Sequence, residues 1–246
     1  MARHPRTRLE RRNTYGEHTR RPINCLVFLA LPLLGFQLGA AYYGTGLLAP
    51  YHLNKALRYF GGTTAWLPPL LIVLVLLAQQ ALRRERWQFQ PWVLVGMLAE
   101  SLFWVVPLLG ISLITGKMFP QAATTGMTVG EEVLKSIMVA VGAGIYEEFV
   151  FRLLLIGLAM LIFVDLLDLP NDGVAVAAVI GAGALFSIYH FVGRPVSREE
   201  FPWYEFIFRT VAGIYLGGVF YYRGFGIVVG AHAFWNVYVF LAMSRS

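Results

Sequence analysis

Residues 22–54 contain no Asp, Glu, Lys or Arg. Apolar runs recur along the chain at 59–82, 91–114 (with Glu100 inside it), 131–164 (with Glu131, Glu132, Lys135, Glu147, Glu148 and Arg152), 173–193, 203–222 (with Glu205 and Arg209) and 225–244. A spanning helix needs about 20 apolar residues, and each run is long enough, the first across 23–48. Strands of a membrane barrel would show ~10-residue segments of alternating polarity, which this sequence lacks. The expected fold is therefore all-α: a polytopic transmembrane bundle of about seven helices, six to eight at the limits. Composition agrees. Hydrophobic residues make up 57% and charged residues 14%, against roughly 25% charged in a soluble domain. That excludes an ordinary soluble core, and disorder as well, since disorder needs low hydrophobicity and high charge. A single cysteine, Cys25, leaves no disulfide framework and no CxxC metal site.

The net charge of +6 does not point to nucleic acid. Seven arginines (Arg3, Arg6, Arg8, Arg11, Arg12, Arg20 and Arg21) fall in residues 1–22 against Glu10 and Glu17. A basic arm abutting an apolar run reads as a topology-setting cytoplasmic tail, able to touch anionic headgroups. With the N-terminus inside, the inner segments hold the tail together with Arg83, Arg84, Arg86 and Arg223. The outer segments hold fewer cations: Lys55, Arg58, Lys117, Arg194, Arg198 and Arg245. That bias favours a cytoplasmic N-terminus. Three regions follow: the tail 1–22, helices one to three in 23–129, and the remaining helices in 130–246.

The two halves differ in texture. Gly142 and Gly144, Gly181 to Ala184, Gly213 and Gly217, and Gly226 and Gly230 lie in the second half. Small residues let helix backbones approach closely in lipid, so helices four to seven are expected to form the packed core. The bulky first half is expected to face lipid.

Ionisable side chains inside a membrane are costly and usually functional. Glu147 and Glu148 are adjacent, about 100° apart on a helix, so they cannot share one partner. Glu148 and Arg152 stand at i,i+4 and can pair, which leaves Glu147 available as a base. Phe186 and His190 share a face in the fifth helix, as do His232 and Asn236 in the seventh. Glu205 and Arg209 form a candidate pair within the sixth, and Glu100 is alone in the third. Glu147 lies 18 residues before Asp165, and His190 lies 18 residues after Asp172. In an antiparallel hairpin both would sit about 27 Å from the joining loop. His232 and Asn236, 9 and 13 residues past Arg223 at the turn, would be one or two turns shallower unless the seventh helix starts deeper.

In order, Glu147-Glu148-x-x-x-Arg152, Phe186-x-x-x-His190 and His232-x-x-x-Asn236 resemble the three motifs of the CPBP (CAAX protease and bacteriocin-processing, Abi) intramembrane proteases. The resemblance covers roughly 130–240, with no departure at the motif positions; helices one to three carry no family signature. It implies hydrolysis of a peptide bond in a membrane-anchored protein or peptide. Glu147 would activate water and His190 help hold it. His232 and Asn236 would bind the developing oxyanion, and Arg152 would pair with Glu148. Metal dependence stays open: Glu147, His190 and His232 could instead ligate Zn2+, with Glu148 as the base. A compact form of this family is expected in a prokaryotic plasma membrane. Two other classes compete, a non-catalytic binding or immunity protein on the same fold and a proton-coupled transporter. Neither a missing motif residue nor an inverted repeat supports them.

Overall fold

The computed structural model describes residues 14–44, 55, 66–115, 129–192 and 201–243. The tail arginines before Thr14, and Arg58, Lys117, Arg194, Arg198 and Arg245, lie outside the described residues. Among those described, all regular structure is helical. A short α1 (Tyr15–His18) precedes α2 (Pro22–Tyr43) and α3 (Leu67–Leu82). Then come α4 (Pro91–Phe103) and α5 (Val105–Thr115), nearly continuous through Trp104, followed by α6 (Val129–Glu148). The last three are α7 (Asn171–Tyr189), α8 (Trp203–Arg223) and α9 (Phe225–Met243). Five stretches are long and apolar enough to cross a membrane, and α3 is a shorter apolar helix. The protein is an integral membrane protein with an all-α bundle.

Local sequence sets the helix ends. Pro22 and Pro91 occupy first-turn positions, where the missing N–H costs nothing. The first span stops at Tyr43 rather than continuing to 48, because Gly44 takes a left-handed conformation (φ 62°) that ends the helix. Past Glu148, α6 continues through π-helical turns at Phe149–Ile156 and Met160–Leu166, making one rod, Gly130–Leu166, of 37 residues. Such turns are rare and often mark functional sites.

The centre of the bundle is α9. Every residue from Phe225 to His232 is buried, as expected of a helix apolar on all sides. It packs on α6 and α4, while α8 packs along α7. The first half of the chain does not merely face lipid. Cys25, Leu29, Leu33 and Phe36 of α2, Ile72 and Leu76 of α3, and Val93 and Met97 of α4 are buried in the same core as Ile227 and Val228. Outward residues such as Leu31, Leu74 and Leu102 meet lipid. Long apolar runs have two apolar faces, and only tertiary contacts say which one is covered.

Two glycine contacts bring helix backbones together. A Cβ on Gly213 would lie 2.9 Å from the Gly183 Cα, and one on Gly144 would lie 2.9 Å from the Ala233 backbone nitrogen. These contacts close α7 on α8 and α6 on α9. Gly181, expected to pack in the same way, has nothing within 4 Å of such an atom. Gly213→Ala is therefore expected to destabilise the protein by about 1–3 kcal/mol through overpacking against backbone. Gly181→Ala should be neutral or slightly stabilising. Thermal unfolding in detergent compares the two.

Candidate active site

The site is built where α6, α7 and α9 meet, and it starts from one fully buried charge. Arg152, 0% exposed, lies in the π-helical continuation of α6. Its Nη1 pairs with Glu148 Oε1 at 2.9 Å, and its Nη2 donates to the Gly213 carbonyl at 3.1 Å. The guanidinium also sits over the Phe186 ring, 4.8 Å from its centroid. Gly213 matters twice here: its missing side chain lets α8 close on α7, and its carbonyl then receives Arg152. Lipid offers no solvent for a lone cation, so the multiple partners are a requirement.

Glu148 Oε1 is also 2.6 Å from His232 Nδ1. A carboxylate paired with arginine accepts, so Nδ1 carries the proton and Nε2 points away from Glu148. His190 is fixed in a parallel manner. Its Nδ1 lies 2.8 Å from the Phe186 carbonyl, which can only accept. The Nε2 atoms of both histidines are thus turned towards a common neighbour, Glu147. Glu147 Oε1 is 3.7 Å from His190 Nε2, and Oε2 is 3.7 Å from His232 Nε2. Both separations exceed a direct hydrogen bond and suit a polar atom held between the groups. Side-chain exposure rises outward, from 0% at Glu148 and Arg152 through 13% at Glu147 to 21% at His190. His190 is therefore the least buried member of the cluster.

Asn236 is one turn along α9 from His232. It donates through Nδ2 to the Ala140 carbonyl at 3.3 Å, on the α6–α9 seam, and the second Nδ2 hydrogen is not used by that bond. The structure thus gathers Glu147, Glu148, Arg152, His190 and His232 into direct contact, with Asn236 one turn away. The spacing argument correctly put Glu147 and His190 at one depth. It misplaced His232, which is level with Glu147 rather than one or two turns shallower. Arg223, at the end of α8, forms a bidentate ion pair with Glu100, nine residues inside the start of α4. That pair ties the α8–α9 corner to α4, and α9 starts deeper than the loop count placed it. Glu100 therefore has a partner that hydropathy alone did not reveal. Glu205 and Arg209 do pair within α8, at 2.7 Å.

Phe186 contributes more than its motif position suggested. Its ring stands edge-on to His190 (centroids 4.7 Å apart), His232 (5.9 Å) and Phe151 (5.4 Å). The i,i+4 spacing to His190 was the one sequence signal for this hub.

One carboxylate and two imidazoles are the kind of donor set that zinc takes. Among the described residues, however, no three His, Cys, Asp or Glu side chains converge as a metal site.

Replacing Arg152 by Met should leave Glu148 buried without its cation. Loss of one partner from a buried pair costs about 3–5 kcal/mol. Chemical unfolding of the purified variant is expected to show a loss of that order, larger than for Arg209→Met at the less buried Glu205 pair.

Residues 128–238 match the family model described as type II CAAX prenyl endopeptidase Rce1-like. The matched segment runs from the start of α6 into α9 and includes all seven motif residues. No curated protein and no solved structure matches the chain.

Proposed function

We propose, taking the CAAX-type protease match of residues 128–238 as the premise, that this chain hydrolyses a peptide bond of a membrane-anchored protein or peptide. One observation carries the reading. Glu147 presents one oxygen to each of two histidines, 3.7 Å from His190 Nε2 and from His232 Nε2, while each histidine is anchored through Nδ1.

In this reading a water is held between Glu147 and His190. Glu147 takes its proton as the water oxygen attacks the scissile carbonyl carbon. The carbonyl oxygen becomes an oxyanion, met by His232 and by the second amide hydrogen of Asn236. As the C–N bond breaks, Glu147 passes its proton to the leaving amine, which regenerates the carboxylate. Glu148 and Arg152 stay out of the proton traffic; they hold His232 and the turn of α6 that aims Glu147. Preorganised donors in a water-poor site are worth more than in bulk water. The anchoring of both rings through Nδ1 supports such preorganisation.

The substrate class follows from the surroundings. The site is flanked by membrane-spanning helices and is least buried at His190, at the end of α7, so the substrate carries a hydrophobic anchor in the bilayer. With the N-terminus inside, that end faces the outer leaflet, which favours exported proteins or leader peptides. Cysteine labelling tests the orientation: Asp168→Cys, at the opposite end of α7, is expected to react only from the cytoplasmic side, and labelling only from outside would overturn it.

Glu147→Gln and His190→Ala, compared in cells by a proteomic search for uncleaved membrane-anchored peptides, test the activity. The expected outcome is accumulation of the same uncleaved species in both, with a rate loss of about 100-fold or more for Glu147→Gln. Unchanged peptides in both variants, beside a responsive deletion strain, would sink the protease reading. Asn236→Ala is expected to slow cleavage about 100–1,000-fold if it donates to the oxyanion. Purified protein treated with a chelator is expected to keep its activity; a loss restored by zinc would replace the water-activation step with a metal-based one.

A further inference from the structure

The pair Glu100–Arg223 lies outside the cluster just described, yet it is a bidentate ion pair within the membrane region. Arg223 Nη2 donates to Glu100 Oε2 at 2.7 Å, and Nε reaches Oε1. Trp104 Nε1 also donates to Glu100 Oε1, at 3.0 Å, which fixes the carboxylate from the same helix. The side chains are only 23% and 16% exposed. We propose that this pair is a positioning device for the reaction: it sets the axial register of α9 and so holds His232 against Glu147 and Glu148. The inference rests on the protease reading for its catalytic consequence, though not for its geometry.

The argument turns on what resists sliding. From Phe225 to His232, α9 is buried on every side. Its contact with α4 is made through glycines: Gly226 faces Met97 and Gly230 faces Ser101. These small-residue contacts restrain sliding by shape alone, whereas a polar pair adds a directional restraint. One turn is about 5.4 Å, enough to carry His232 out of reach of both glutamates. A buried polar pair is directional and is matched in one register only, the best-attested use of such pairs. Arg223 precedes His232 by nine residues, about 13 Å of helix, separated from it only by the corner at Gly224.

The corner itself is clamped. Gly224 adopts φ 95°, and a Cβ there would lie 3.2 Å from the Arg20 Cα. The Thr19 hydroxyl donates to the Arg223 carbonyl at 3.2 Å, and the Arg20 side chain donates to the Tyr222 carbonyl. The Arg223 guanidinium lies 5.7 Å from the Tyr15 ring centroid. Ser101, next to Glu100, donates to the Ile227 carbonyl at 3.3 Å. The N-terminal segment and α4, both outside the family-matched stretch, thus converge on the point where α9 begins.

The test reads His232 directly. Full-length protein with 15N-histidine, in lipid nanodiscs, gives imidazole signals in which a Nδ1–H bonded to Glu148 is distinctive; His232→Asn assigns them. The double variant Glu100→Gln with Arg223→Gln removes both charges and leaves no unpaired ion, so it avoids the worst folding penalty. It is expected to shift or broaden the His232 signals. It should also lower kcat about 10–100-fold with KM little changed, as expected for a misplacement of an ångström or more. Arg223→Lys, which keeps the charge, should retain most of both. Trp104→Phe, a milder change, should move the His232 signals a smaller distance in the same direction. Unchanged His232 signals in the double variant would overturn the proposal. So would an equal shift in Leu76→Ala, a core variant remote from the corner, because the effect would then reflect general loosening. If wild-type protein cleaves nothing while the double variant still shifts His232, the positioning role stands and the protease reading fails.

Discussion

The buried guanidinium of Arg152 is the constraint around which the rest of the bundle is arranged. Within lipid it cannot be left unpaired, so Glu148 must lie one turn away on the same face, and the Gly213 carbonyl must approach from α8. Once Glu148 is committed, it also accepts from His232 Nδ1 and ties α9 to α6. One charge therefore draws four helices together, with Phe186 of α7 stacked beneath it. An apolar core could supply equal stability, but not one rotation and one depth for each helix. That is the usual advantage of a buried polar network.

The surplus carboxylate acquires its meaning from this arrangement. Helix geometry turns Glu147 about 100° from Glu148, away from Arg152 and towards His190. It is partly exposed while its neighbours are sealed. It also faces two Nε2 atoms whose partner nitrogens are already engaged. A structural ion pair needs one glutamate; the second faces the two histidines. The family match over 128–238 covers this cluster.

Much of the site was legible in the sequence because its determinants are local. The i,i+4 spacings of Glu148 with Arg152, Phe186 with His190, and His232 with Asn236 are helix-face statements that survive any packing. Counting residues from a short loop also placed Glu147 and His190 at one depth. Counting failed for His232 because depth along α9 depends on where its corner sits, and a contact between Arg223 and Glu100, 123 residues apart, decides that. The reading of α2 to α4 as lipid-facing failed for a related reason. Their residues are apolar on every face, so periodicity could not mark the side that Phe36, Met97 and Ser101 turn inward.

The sequence by itself determined that the chain is a membrane-spanning helical bundle, where most of its helices end, and which ionisable side chains share a helix face. Hydropathy, proline and glycine positions and helical spacing act over a few residues, and they suffice for that. Only the tertiary structure decided which carboxylate is sealed and which is presented, that Glu100 has a partner, and that His232 lies level with Glu147. Those outcomes depend on rotation and sliding between helices. Close glycine contacts and long-range polar pairs fix both, and neither partner is marked by local spacing.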